Sequence, residues 1–281
     1  MLDGLCFLND EWLLLSKATL PLSDLSIIRG YAVFDYLRTY QRVPFHLNDH
    51  LNRLKKSADH VYLTLPYSLE HIASLIHEGI AKSPFPEVAV KILLTAGQSE
   101  DYLSPFSRPS FCILFTPLAS FASECLEKGI KVITTRVLRP LPQVKSTCYL
   151  QALMALQKAK LEQADDALYV NAKEEVLEGL TSNIFVVSGG CLITPESPEI
   201  LPGITRDIVK RCAGPDISVK TEPLPLAHFS DWDEMFMTSS TREVMPIVAI
   251  DHQLIGSGKP GPYTREMMRR FNLYTKKIWP S

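Results

Sequence analysis

The sequence predicts an α/β protein in two lobes. Short β-type runs alternate with amphipathic helical stretches, and this order occurs once before about residue 118 and again after residue 130. No internal repeat, low-complexity tract or long charge block interrupts the 281 residues, so the chain reads as continuously folded. The expected division is a small N-terminal α/β domain over 1–120, a connection over 121–130 and a larger, β-rich α/β domain over 131–281.

Apolar runs at 5–8 and 12–16 flank Asn9-Asp10-Glu11, and runs at 32–40 and 43–47 flank Gln41-Arg42, which are two hairpin signals. From Asn48, a good N-cap, Leu51, Leu54, Ala58, Val61 and Tyr62 recur at three- and four-residue steps and predict a helix with one buried face. Residues 69–81 repeat that pattern, β-type runs follow at 88–95 and 110–117, and 118–129 holds a connection and a short helix. The second set opens with a strand at 130–134 and a helix over about 146–163, capped by Ser146-Thr147. Strands near 167–171, 183–187 and 191–194 come next, the last two joined by the turn signal Gly189-Gly190. Leu201-Pro202-Gly203 then precedes a helix over 205–211 that stops at Gly214.

Lysine plus arginine number 29 against 31 aspartate plus glutamate, a net charge of −2, which removes a general electrostatic case for nucleic acid or an acidic membrane. No run of 18 apolar residues occurs and Met1-Leu2-Asp3-Gly4 does not open a signal peptide, so the expectation is a cytoplasmic protein. The six cysteines lack C-x-x-C or zinc-type spacing, and most of them read as reduced core residues, with no metal site.

Several residues stand where chemistry is feasible. Lys145 follows the Pro140-Leu141-Pro142 turn at a loop-to-helix junction, although spacing alone does not set it apart from a surface lysine. Pro202 to Asp207 puts a glycine and a hydroxyl at a helix start, where unpaired N–H groups and the positive dipole end suit an anion. A second hydroxyl cluster, Thr238-Ser239-Ser240-Thr241, follows the apolar strand Met235-Phe236-Met237. Arg53 lies three residues after His50 beside the buried stripe of its helix, so it should have an anionic partner. Glu178 closes the acidic group that starts at Glu174, which reads as a solvated turn.

Six ordered motifs together resemble the fold-type IV family of pyridoxal-phosphate enzymes: branched-chain aminotransferases, D-amino-acid transaminases and aminodeoxychorismate lyases. They are Arg29 to Asp35, His50-Leu51-Asn52-Arg53-Leu54, Val144-Lys145-Ser146-Thr147, Glu178 to Phe185, Leu201 to Arg206, and Thr238 to Val244, and the likeness covers nearly the whole chain. It implies a homodimer of two-lobed subunits, with pyridoxal 5′-phosphate in the cleft between the lobes. Lys145 would then bind the cofactor covalently and carry the proton, while Glu178 would accept a hydrogen bond from the pyridine nitrogen. Arg53, the N–H groups of Ile204 and Thr205, and the hydroxyls of Ser240 and Thr241 would hold the phosphate. Tyr149 would contact the phenolic oxygen of the ring, with Cys148 in place of the asparagine that often precedes it.

The resemblance also bears on substrate. Usual bacterial D-amino-acid transaminases carry an arginine in a T-R-G stretch, and this chain reads Thr95-Ala96-Gly97. A less usual D-transaminase group places a basic residue on each of two other segments, which correspond here to Arg29 and Lys91. These two would take the substrate carboxylates, with Tyr31 beside them. The expected activity is therefore transfer of an amino group between an amino acid and a 2-oxo acid, by an atypical D-amino-acid transaminase. A branched-chain L-aminotransferase, whose apolar pocket Tyr31, Phe34 and Tyr36 could line, and an aminodeoxychorismate lyase are the alternatives. A binding protein that kept the fold and lost the catalysis is a further one, against which Lys145, Glu178 and Arg53 speak.

Overall fold

Alternating apolar residues and tight polar turns build the first sheet. Strands β1 (Leu5–Leu8) and β2 (Glu11–Leu14) are turned by Asn9 and Asp10 at φ 45° and 76°, a left-handed bend these short polar side chains tolerate. Helix α1 (Leu25–Arg29) ends on Gly30 at φ 68°, and strands β3 (Ala32–Tyr40) and β4 (Val43–Pro44) form the next hairpin. Helices α2 (Leu47–His60) and α3 (Leu69–Lys82) precede β5 (Val88–Thr95) and β6 (Phe111–Pro117). The strand order is β2-β1-β6-β5-β3-β4, antiparallel throughout.

Leu51 and Leu54 of α2 and Ile72 and Ile76 of α3 are buried against Val33, Leu37, Val90, Ile92, Phe111 and Phe115 of the sheet. Each such side chain contributes about 1.5–3 kcal/mol by leaving water. Gly79 lets α3 close on β6, since a Cβ there would lie 2.1 Å from the Phe115 ring. Two expectations shift. Helix α2 begins at Leu47, with His46 at the N-cap in the left-handed region (φ 51°), so Asn48 sits in the first turn and does not cap. For the same reason the second hairpin strand stops at Pro44.

The structure is a computed structural model that describes residues 3–105, 109–118, 123–137 and 139–277. It divides into two compact units, Met1–Ala119 with Val144–Cys148, and Ser120–Gln143 with Tyr149–Ser281. The excursion of Val144–Cys148 into the first unit has a backbone cause. Beside the start of β3, Phe34 N–H donates to Lys145 O at 2.9 Å, Thr147 N–H donates to Ala32 O at 3.1 Å, and Val33 and Ser146 form an antiparallel bridge. A free strand edge satisfies its backbone groups by capturing this segment. Ser146-Thr147 are therefore strand-like and cap no helix.

The second unit begins with α4 (Ser123–Lys128), β7 (Ile130–Thr135) and α5 (Leu150–Leu161). Helix α5 is shorter than the 146–163 expected, and Tyr149 stands at its N-cap without a side-chain cap bond. Strands β8 (Asp166–Val170), β9 (Val176–Gly179), β10 (Asn183–Ser188) and β11 (Cys191–Thr194) follow, then α6 (Ile204–Cys212) and β12 (Val219–Thr221). Strands β13 (Glu234–Ser239), β14 (Glu243–Ile250) and β15 (Gln253–Leu254) and helix α7 (Pro262–Lys277) complete it.

Among the described residues the sheet order is β12-β11-β10-β13-β14-β7-β8-β9, with β15 beside β14 and parallel pairing at β11–β12, β14–β7 and β7–β8. Phe185 and Phe236 stack across β10 and β13 with centroids 5.0 Å apart. The acidic stretch departs from its solvated reading: Glu174 is exposed and pairs with Arg136, but β9 is buried along its whole length and Glu178 is 2% exposed. No helix of the described residues is long and apolar enough to cross a membrane.

Candidate active site

In the first unit, a carboxylate in an apolar strand organises the polar groups. Asp35 on β3 is fully buried, and the α2 spacing of three puts His50 and Arg53 on the face that meets it. Arg53 donates Nε–H to Oδ2 and Nη2–H to Oδ1, both at 2.8 Å, a two-point fork, and His50 Nδ1 lies 2.7 Å from Oδ1. Burial alone would raise the Asp35 carboxyl. The charges and hydrogen bonds of Arg53 and His50 together hold it well below the usual carboxylate range. Burial pushes His50 down, Asp35 opposes this, and the Arg53 and Lys145 charges add to the lowering. The carboxylate can only accept, so His50 donates Nδ1–H to Asp35.

Lys145 is fixed by three backbone contacts: its carbonyl accepts from Phe34, its N–H donates to Ser57 Oγ of α2 at 3.2 Å, and the Thr147 N–H binds Ala32 O. Its Nζ lies 4.8 Å from the centre of the Phe34 ring. Lys91 on β5, opposite Tyr36 in the β3–β5 register, also places its Nζ 4.8 Å from that ring. The Lys91 side chain is exposed, yet desolvation around its amine pulls its pKa down. Two amines, one on a captured segment and one on a regular strand, thus bear on one aromatic ring.

In the second unit, Glu178 on β9 accepts from three segments. Arg139 Nη1 donates to Oε1 at 2.6 Å, Asn183 Nδ2 to Oε2 at 3.2 Å and the Leu201 N–H to Oε2 at 3.0 Å. Arg139 also donates to Pro142 O, which ties the carboxylate to the stretch three residues before Lys145 in sequence. Leu201 leads through Pro202 and the N-cap Gly203 into α6, whose first N–H groups, including those of Ile204 and Thr205, receive no side-chain cap. Such a helix start offers oriented donors and a positive dipole end. The β13–β14 turn adds hydroxyls: Ser239 Oγ lies 3.2 Å from Thr241 Oγ1 and accepts the Arg242 N–H at 3.1 Å. The Arg242 guanidinium pairs with buried Asp166, which fixes the turn.

Arg53, Lys145 and Lys91 therefore fall in the first unit, and Glu178, Tyr149, Ile204, Thr205, Ser240 and Thr241 in the second. Arg29, at the end of α1, is exposed and donates Nε–H to Tyr102 O at 3.1 Å. Tyr31 donates its hydroxyl to Val61 O at 2.6 Å and packs on the core. Tyr149 packs at the start of α5 beside Ala152 and Ala155. Sequence reasoning anticipated an anion beside Arg53 without naming Asp35, whose signal is a carboxylate inside the apolar run Ala32–Leu37. It passed over Arg139, Asn183 and the Asp166–Arg242 pair, whose partners are 39, 5 and 76 residues away along the chain.

Known proteins resemble this chain over nearly its whole length. A protein of Methanocaldococcus jannaschii, provisionally named a branched-chain-amino-acid aminotransferase, is 30% identical over 274 residues, covering 94% of each chain. The D-alanine aminotransferase of Staphylococcus haemolyticus is 28% identical over 274 residues, covering 95% of this chain and 96% of that one. In fold, the chain is similar to the branched-chain amino acid aminotransferase of Escherichia coli, with a TM-score of 0.92 at 23% identity over 98% of this chain and 95% of that one. Residues 32–250 match the amino-transferase class IV family, and the chain belongs to that family.

Proposed function

We propose that this aminotransferase accepts D-amino acids and that Lys91, with Arg29, holds the substrate carboxylates. The observation that carries the reading is the pair of amines on Phe34, a cation on β5 beside the lysine expected to react. The likeness to D-alanine aminotransferases supports it. Class IV aminotransferases work with pyridoxal 5′-phosphate. The donor set fits that group: Glu178 suits a pyridine nitrogen, and Arg53 with the α6 N–H groups, Ser240 and Thr241 suits a phosphate. When bound, the cofactor supplies an electron sink for carbanion charge.

This chain's residues do the rest. Lys145 Nζ provides the covalent anchor and takes and returns the substrate proton. Glu178, fixed by Arg139, Asn183 and Leu201, would hold the ring nitrogen, and Tyr149 would hold the phenolic oxygen. Asp35 holds Arg53 in its forked orientation. A branched-chain L-aminotransferase is the second reading, favoured by Tyr36 opposite Lys91 in the β3–β5 register, by the Phe34 ring 4.8 Å from the Lys91 Nζ and by the M. jannaschii relative. The test is the visible spectrum of cofactor-loaded protein with D-alanine, D-glutamate, L-leucine or L-glutamate added singly without keto acid. Loss of the cofactor band with D-amino acids alone supports the proposal, and loss with only the L-amino acids overturns it.

Two copies of the chain form the working unit in this reading. Helix α5 buries the small residues Ala152, Ala155 and Ala159 on its own unit, while Leu150, Leu153, Met154 and Leu161 stand 55–86% exposed. A helix that turns its larger apolar side chains outward calls for a covering surface, and a second copy supplies it. Light scattering should give twice the chain mass, and Met154→Glu should lower it.

A further inference from the structure

We infer that Asn183 is a positioning residue that locks Glu178 and the start of α6 into one hydrogen-bonded unit, so that the cofactor's ring nitrogen meets an acceptor and its phosphate meets donors at a fixed separation. The inference rests on the reading that Glu178 and the α6 N–H groups serve those two ends of the cofactor. The Asn183 side chain is buried at the first residue of β10. Its Nδ2 donates twice, to Glu178 Oε2 at 3.2 Å and to Leu201 O at 2.9 Å, while the Leu201 N–H itself donates to Glu178 Oε2 at 3.0 Å. Both Nδ2 partners are acceptors, so the amide can point only one way, with Oδ1 turned to Gly203.

There the fit is steric as well as polar. A Cβ on Gly203 would lie 1.7 Å from Asn183 Oδ1 and 2.9 Å from its Cγ. Only a glycine admits the carboxamide at the N-cap of α6, and the carboxamide in turn fixes where that helix begins. Across the sheet, Asn183 pairs with Thr238 of β13, the residue before the Ser239–Thr241 turn. One side chain therefore touches the carboxylate and the helix start, and its backbone is in register with the strand that leads to the hydroxyls. Asparagine suits this place because it supplies two donors and no charge beside Glu178. An aspartate of the same shape would set a second carboxylate about 3 Å away, and such a pair shares a proton.

The experiment measures the dissociation constant of pyridoxal 5′-phosphate from apoprotein, together with the pH dependence of the cofactor's visible band, for five variants whose apoprotein melting is checked in parallel. Asn183→Ala should weaken cofactor binding roughly tenfold. Asn183→Asp should weaken it at neutral pH and recover much of the loss at about pH 5.5, a pH dependence the unaltered protein does not share and a purely structural defect would not produce. Gly203→Ala should weaken binding strongly alone and far less in the Asn183→Ala background, because the clash is with the side chain removed. Wild-type binding in both Asn183 variants, or additive effects of the Gly203 and Asn183 changes, overturns the inference. Glu178→Gln separates the two levels: an unaltered band and affinity there refutes the reading of Glu178 itself, whereas a changed band with silent Asn183 variants refutes only the coupling.

Discussion

Two buried carboxylates, Asp35 and Glu178, organise the two units in different ways. Asp35 takes both its side-chain partners from one helix, as His50 and Arg53 are three residues apart on α2, so the cluster is local and its product is one oriented arginine. Glu178 takes its partners from a loop, a strand start and the approach to a helix, so it acts as a knot between distant segments. The first arrangement protects a charge and the second sets a distance. Loss of Asp35 should therefore be felt chiefly as stability, and loss of Glu178 chiefly as chemistry.

The largest effect should belong to neither. Lys145→Ala should lower turnover by about 10⁴-fold, measured in single-turnover mixing with an amino donor, because the covalent anchor and the proton carrier are one group. Substantial turnover in that variant would move the chemistry elsewhere. Asp35→Asn leaves Arg53 and His50 facing a neutral amide, and a broken buried pair of this kind costs about 3–5 kcal/mol, read by denaturant unfolding of the apoprotein. Turnover at saturating cofactor should fall much less in Asp35→Asn than in Glu178→Gln, where roughly 10²-fold is expected. A reversal of those two rankings would break the comparison.

Acid should sharpen it. His50 has a folded pKa below its unfolded one, so as pH falls below about 6.5 the unfolded chain binds a proton that the fold refuses, and stability declines. Asp35 is likewise lowered, so its contribution is present above its unfolded pKa of about 3.9 and is lost as pH falls below that value. His50→Gln should flatten the first decline in a melting series while leaving the second. The smallest effect concerns substrate: Lys91→Ala should raise KM about tenfold with little change in kcat, the loss of one charge-assisted contact. An unchanged KM removes Lys91 from the carboxylate site.

Much of this was legible beforehand wherever a residue's neighbours in sequence are also its neighbours in space. The spacing of Leu51, Leu54 and Ala58 shows which face of α2 is buried, and it places Arg53 beside that face and in need of an anion. The uncapped start of α6 likewise follows from Leu201-Pro202-Gly203. Other features were hidden because their causes are distant. The acids around Glu178 share one composition, yet Glu174 is solvated while Glu178 is buried, since only the latter lies within β9 and meets donors from residues 139, 183 and 201. Tertiary structure decided Lys145 most plainly: Ser146 and Thr147 have the chemistry of helix caps, but the open backbone groups at the start of β3 take that segment first. The sequence by itself determined periodicity, caps and turns, because these depend on side chains a few residues apart. Only the folded chain decided which carboxylate is buried and which lysine is pinned, because burial and strand capture depend on partners that the sequence keeps far away.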